Sequence, residues 1–121
     1  MTAHTPISVK FGDEILEHGF TVVPNLILDS YTALGITTNE MLFIIHVWQY
    51  WWTERSPHPS LSRIAEKMGV SWRQCHRYAK SLEDKEYLLI RERYLNGLGQ
   101  QSNEYDFSPL IRAVSQTPCH F

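Results

Sequence analysis

The chain has 121 residues, 43% of them hydrophobic and 20% charged, with a formal net charge of −2. That length supports one domain with a core and excludes two ordinary ones, and the composition is that of a folding chain, not a disordered or collagen-like one. The longest apolar run, Met41 to Ile45, stops at His46, far short of the ~20 residues that cross a bilayer, so no membrane span is expected.

The N-terminus (Met1, Thr2, Ala3, His4) has no basic stretch leading into an apolar one, and Cys75 and Cys119 are too far apart to form a CxxC pair or ligand cluster. Free thiols in a reducing compartment, the cytoplasm, are the expectation. Charge is unevenly spread. Residues 1–54 carry Lys10 against six acidic residues, whereas residues 55–80 carry Arg55, Arg63, Lys67, Arg73, Arg77 and Lys80 against Glu66 alone. A basic window of this kind is either a solvated helix face or a polyanion-binding surface.

Residues 1–19 show no strong period and contain Pro6 and Gly12; they are expected to form an arm that packs Ile7, Val9, Phe11, Ile15 and Leu16 piecemeal. Phe20 to Val23 is apolar and partly β-branched, and Pro24 ends any pairing, which predicts a short strand or extended lead-in before a helical turn at Leu26 to Leu34. Thr37 and Glu40 stand in capping-box spacing. A helix is therefore predicted from Thr38 to about Thr53, with Met41, Ile44, Ile45, Trp48, Trp51 and Trp52 on its apolar stripe. Such an aromatic stripe reads as core before it reads as a nucleobase platform, and some of the rings are candidates for a subunit interface.

Ser60 is placed to cap the next helix, and residues 60–82, SLSRIAEKMGVSWRQCHRYAKSL, read as two helices joined at Gly69. Leu61, Ile64, Ala65 and Met68 form the inner face of the first; Val70, Cys75, Tyr78, Ala79 and Leu82 form that of the second. Ala65 is small where two helices approach, and Gly69 permits positive φ in the turn. Ser71 caps the second helix and leaves Trp72, Arg73, His76, Arg77 and Lys80 on the outward side, as on a groove-facing surface. Basic window and helix-turn-helix pattern coincide. Beyond it, Tyr87 to Leu95 alternates like a half-buried strand, Asn96 to Ser102 reads as a turn and Asn103 to Phe107 as a second strand, predicting a β-hairpin wing. Arg91 and Arg93 on that wing, with Gln100, Gln101, Ser102 and Asn103 at its tip, suit phosphate and minor-groove contacts, although a solvated hairpin explains the same residues. Ser108 and Pro109 start a last helix, running to about Ser115.

The strings VPNLILD (Val23 to Asp29), the capped helix from Thr37, PSLSRIAEKMGVSWRQCHRYAKSLEDKEYL (Pro59 to Leu88) and SNEYDFSPL (Ser102 to Leu110) together resemble bacterial and phage winged-helix proteins of the replication-initiator type. The resemblance covers residues 20–112. It implies a DNA-binding winged helix, with Ser71, Trp72, Arg73, Gln74, His76, Arg77 and Lys80 at positions such proteins use for the major groove. Trp72 and Cys75 depart from the pattern, which more often has an arginine or polar residue and an aliphatic one there.

No GxSxG, P-loop or HExxH motif is present, nor a pair of carboxylates that the sequence puts in one site, so the chain is read as a non-enzyme without cofactors. His4, His18, His46, His58, His76 and His120 are scattered, and Cys75 and His76, neighbours on a helix, point about 100° apart, so no metal site is expected. His46 is expected to be half-buried and hydrogen-bonded.

The expectation is a mainly α fold with a small β-hairpin wing, an α+β winged helix-turn-helix over residues 20–117, with an arm at 1–19 and a tail at 118–121. Its function is read as sequence-specific binding of double-stranded DNA in replication initiation or transcriptional regulation, through a possible homodimer or a replication or transcription partner. The alternative is a winged-helix protein-interaction module without DNA affinity.

Overall fold

The computed structural model describes residues 6–95, 97 and 99–116. His4, Cys119, His120 and the expected tail at 118–121 lie outside the described residues, as do Asn96 and Leu98 of the expected turn. The chain begins with two short helices, α1 (Pro6–Phe11) and α2 (Asp13–Leu16). The expected packing of this arm is corrected, because Ile7, Val9, Phe11 and Ile15 are all exposed. Ile7 and Phe11, four apart, share a side of α1 with Val9 on the other, but the helix packs chiefly on α2, itself four residues long with none buried, so neither side is covered.

Phe20 to Val23 is an extended lead-in and not a strand. It leads to α3 (Asn25–Ser30), which is shorter than the predicted turn and gives way to tight turns ending at Gly35, with φ 77°. Thr37 and Glu40 form the expected capping box at the start of α4 (Thr38–Trp48), with Thr37 N–H to Glu40 Oε1 at 2.8 Å and Glu40 N–H to Thr37 Oγ1 at 3.1 Å. Such a cap contributes about 1 kcal/mol.

The helix α4 ends earlier than predicted. Tyr50 N–H bonds to Val47 O and Trp51 N–H to Trp48 O, three residues back instead of four, and this tighter winding turns Trp51 and Trp52 off the apolar stripe. Phe43 and Val47 take their places in the core beside Ile44 and Trp48.

The helix-turn-helix follows as expected. Helix α5 (Leu61–Met68) starts at Ser60, whose side chain accepts from Arg63 N–H, and ends at Gly69 in the left-handed region. Val70 N–H returns to Ala65 O at 3.0 Å, the six-residue closure that satisfies a helix's last carbonyls. Helix α6 (Trp72–Asp84) starts at a second capping box, Ser71 with Gln74. Ile64 and Ala65 meet Cys75, Ala79 and Leu82 in the core, and Val70 and Tyr78 are half-buried against it.

Strands β1 (Leu89–Leu95) and β2 (Gly99–Asp106) form an antiparallel hairpin. Leu89 lies opposite Asp106 and Arg91 opposite Glu104, but Arg93 lies opposite Gln101, so β2 carries one extra residue between those pairs, a bulge. The expected wide turn is corrected: Gly99 to Gln101 are paired strand, made possible by positive φ at Gly97 and Gly99, and Ser102 lies at the bulge. Tyr105 N–H reaches the carbonyl of Pro57 at 2.9 Å. Helix α7 (Ser108–Gln116) begins as expected, although its first N–H is capped by Asp106 and not by Ser108 itself, with Asp106 Oδ1 accepting from Ser108 N–H at 2.9 Å and from its hydroxyl at 2.6 Å. Leu110 and Val114 close the core. The whole is a mainly helical, winged-helix-like α+β fold.

Candidate nucleic-acid interface

Burial of Cys75, Ala79 and Leu82 fixes the rotation of α6, and at 100° per residue the opposite side is then decided. It carries Arg73, Arg77 and Lys80, with His76 on its flank; the expected outward placement of Trp72 is corrected, since it lies only about 60° round from Cys75, toward α5 and the wing, and is exposed because it opens the helix. Arg73 and Arg77 are one turn apart, and neither guanidinium has an ion-pair or hydrogen-bond partner among the described residues. Two rigid forks with five donors each are thus presented to solvent.

The other residues singled out on α6 have neighbours. Ser71 and Gln74 use their side chains on each other's backbone amides, at 3.4 and 3.1 Å. Trp72 stacks on His76, with ring centroids 4.9 Å apart and planes 16° from parallel. The Lys80 ammonium lies 2.7 Å from Glu83, whose hydrogen bond and charge raise its pKa. Cys75 is buried where His76 is exposed, so the two point to different sides of the helix. Burial pushes the Cys75 thiol up to about 11.

On the wing, Arg91 pairs with Asp106 at 2.8 Å. Burial would raise the Asp106 carboxyl, but hydrogen bonds from Ser108 and Arg91 and the arginine's charge outweigh it and hold the pKa below its ordinary value. Arg93 Nη1 donates to Ser102 O at 3.2 Å, across the bulge. Gln101 Nε2 donates to Gly99 O at 3.4 Å. Gln100 lies opposite Tyr94 in the ladder, and its side chain is outside what is described. Gln100, Gln101, Ser102 and Asn103 are therefore on strand β2, not on a tip loop.

Between the start of α5 and β2 lies a shallow, open hollow of about 240 Å³, lined in part by Trp72. A second feature escaped the sequence reading. Phe20, Val22, Pro24, Ile27, Trp48, Trp51, Trp52 and Ile111 line an apolar groove of about 420 Å³. The aromatic surplus at the end of α4 was its only sequence signal. His46 is half-buried, as expected, but has no hydrogen-bond partner among the described residues; burial, and then the charge of Lys67, lower its pKa.

Among the described residues no helix is long and apolar enough to cross a membrane. The DnaD N-terminal domain family matches residues 23–118 of the chain. The replicative helicase loading/DNA remodeling protein DnaD of Bacillus subtilis (strain 168) is 26% identical over 98 residues, covering 80% of this chain and 41% of that protein. The chain thus spans about two fifths of the length of this curated relative. The crystal structure of the N-terminal domain of DnaD protein from Geobacillus kaustophilus HTA426 is similar with a TM-score of 0.67, at 24% identity, over 88% of this chain and 86% of that one. That likeness is one of fold.

Proposed function

Because the chain belongs to the DnaD N-terminal domain family, we propose that it acts in replication initiation as a DNA-binding module of the cytoplasm, a binder and not an enzyme. In this reading α6 enters the major groove of duplex DNA and the β1–β2 wing lies along the adjoining backbone or minor groove. The observation that carries it is the pair of unpartnered guanidiniums, Arg73 and Arg77, one turn apart on the exposed side of α6. Arginine forks suit guanine O6 and N7 or phosphate oxygens equally, so one residue change separates base reading from backbone holding. The Bacillus subtilis relative is described as a helicase-loading and DNA-remodeling protein, which supports the same process for this chain.

Selection from a random duplex pool at moderate salt tests the proposal. Enrichment of one motif by the native protein, lost in an Arg73→Ala, Arg77→Ala double variant, is the expected result; no enrichment even at low salt sinks it. Where the enriched sites map also separates two roles: repeats at an origin fit initiation, and a lone palindrome over a promoter fits transcriptional regulation.

The exposed apolar groove beside Trp51 and Trp52 favours a second activity on the same molecule, docking of another protein surface, of which a homodimer is the simplest case. A two-fold dimer would present two copies of α6 to half-sites about 34 Å apart. Light scattering that shows a monomer at high concentration removes the dimer.

A further inference from the structure

An indole offers one hydrogen-bond donor and no acceptor, which makes it a poor reader of base edges. Yet Trp72 opens α6 with 53% of its surface exposed. Its face is backed by His76 in near-parallel contact, and a ring already stacked on one side is held in orientation without any ligand. The same indole lines a shallow, open hollow of about 240 Å³ between α5 and the wing, together with Leu61, Ser62, Ser102 and Tyr105. Its lining combines apolar residues with serines and side-chain amides. The unpartnered guanidiniums of Arg73 and Arg77 stand on the same helix, about 100° and 140° round its axis from Trp72.

We propose that this hollow seats a single unpaired nucleobase of DNA, stacked on Trp72 with His76 behind it, while Arg73 and Arg77 hold the neighbouring phosphates. The inference rests on the DNA-binding reading above and narrows it. A planar aromatic wall gains from any base face regardless of sequence, and the polar residues of the lining suit a base's polar edge. The arginines favour a nucleic-acid base over an apolar side chain of a protein, because they supply cations where a strand's phosphates must run. A base inside an intact duplex has both faces covered by its neighbours and cannot enter. The site therefore distinguishes opened or bulged DNA from fully paired DNA, and it does so through Trp72.

The test compares three fluorescently labelled DNAs by anisotropy with the full chain: a fully paired duplex, the same duplex with one bulged thymidine, and the same duplex with an abasic bulge. The bulged thymidine is expected to bind about tenfold tighter than either control, as stacking one base on an aromatic side chain implies. Trp72→Leu is expected to bring the bulged thymidine down to the level of the abasic bulge, with an unchanged circular dichroism spectrum and thermal midpoint reporting that the variant is folded; Trp72→Phe is expected to keep part of the preference. Equal binding of thymidine and abasic bulges by the native protein overturns the inference, as does a preference that survives Trp72→Leu or a Trp72→Leu loss equal on all three DNAs. Those failures leave duplex binding standing. Absence of binding to every DNA at low salt overturns the DNA-binding reading itself.

Discussion

The Lys85 ammonium lies 2.6 Å from the carboxylate of Glu40, tying the residue just past the end of α6 to the first turn of α4. Glu40 is almost wholly buried, at 4% exposure, and its carboxylate also closes the capping box with Thr37. Lys85 donates in addition to the carbonyl of Gly35 at 2.8 Å. One ion pair thus fixes the helix that carries Arg73 and Arg77 to the central helix of the core.

Burial alone would raise the Glu40 carboxyl, but hydrogen bonds from Lys85, Ser81 and Thr37 and the charge of Lys85 hold it below its ordinary value. A depressed folded-state pKa gives stability that is present above the unfolded value, near 4.5, and lost as pH falls through the folded one. Glu40→Gln keeps a residue able to complete the capping box and removes the charge. It is expected to cost about 1–2 kcal/mol at pH 7, discounted from a fully buried pair because Lys85 reaches solvent. The difference from the native protein should shrink as denaturation curves are taken to pH 3. A constant difference would show that the pair contributes nothing.

Arg73→Ala and Arg77→Ala, tested singly, are each expected to lower the slope of log affinity against log salt by about 1 if the guanidinium holds phosphate. A loss of ~1–3 kcal/mol confined to one base position marks a base contact instead. Lys80→Ala and Arg91→Ala are expected to change the slope by less than half as much, since Glu83 and Asp106 already neutralise those cations. Equal slopes for all four variants would remove the distinction.

Gly69 turns the chain between α5 and α6 at φ 71°, and a Cβ there would meet no atom within 4 Å. Gly69→Ala therefore isolates backbone strain from steric clash. Left-handed backbone costs an L-residue about 1 kcal/mol, which lowers the thermal midpoint by about 4 °C in a chain of this size. An unshifted midpoint in calorimetry would mean that the turn relaxes freely.

Cys75 is fully buried, with its thiol pushed up to about 11 by burial, so at pH 8 it is neutral and shielded. In a Cys119→Ala background, a thiol-specific chromogenic reagent is expected to react at the rate at which the chain unfolds. Labelling as fast as that of a small free thiol would place Cys75 at the surface.

The helix pair was legible because everything that defines it is local: Ser60 and Ser71 as caps, Gly69 for the left-handed turn, Ala65 for close approach, and Cys75, Ala79 and Leu82 at helical spacing. The outward side of α6 followed from the inward one. What was not legible depends on partners far along the chain. Nothing in the spacing of Glu40 and Lys85, 45 residues apart, announces their contact. The pairing of Arg91 with Asp106 is set by the hairpin register. Trp51 and Trp52 fit a helical stripe as letters, but α4 tightens before reaching them, and these two rings line an exposed groove while Met41, Ile44 and Trp48 stay in the core. Period alone carries no information about where a helix stops.

The bond from Tyr105 N–H to Pro57 O fastens the base of the wing to the loop that leads into α5, while the Tyr105 ring meets Phe43 edge-on at 6.3 Å. The base of the wing is therefore fastened to the same frame, α4 and the lead-in to α5, that holds α6, so wing and helix stand on one mechanical footing.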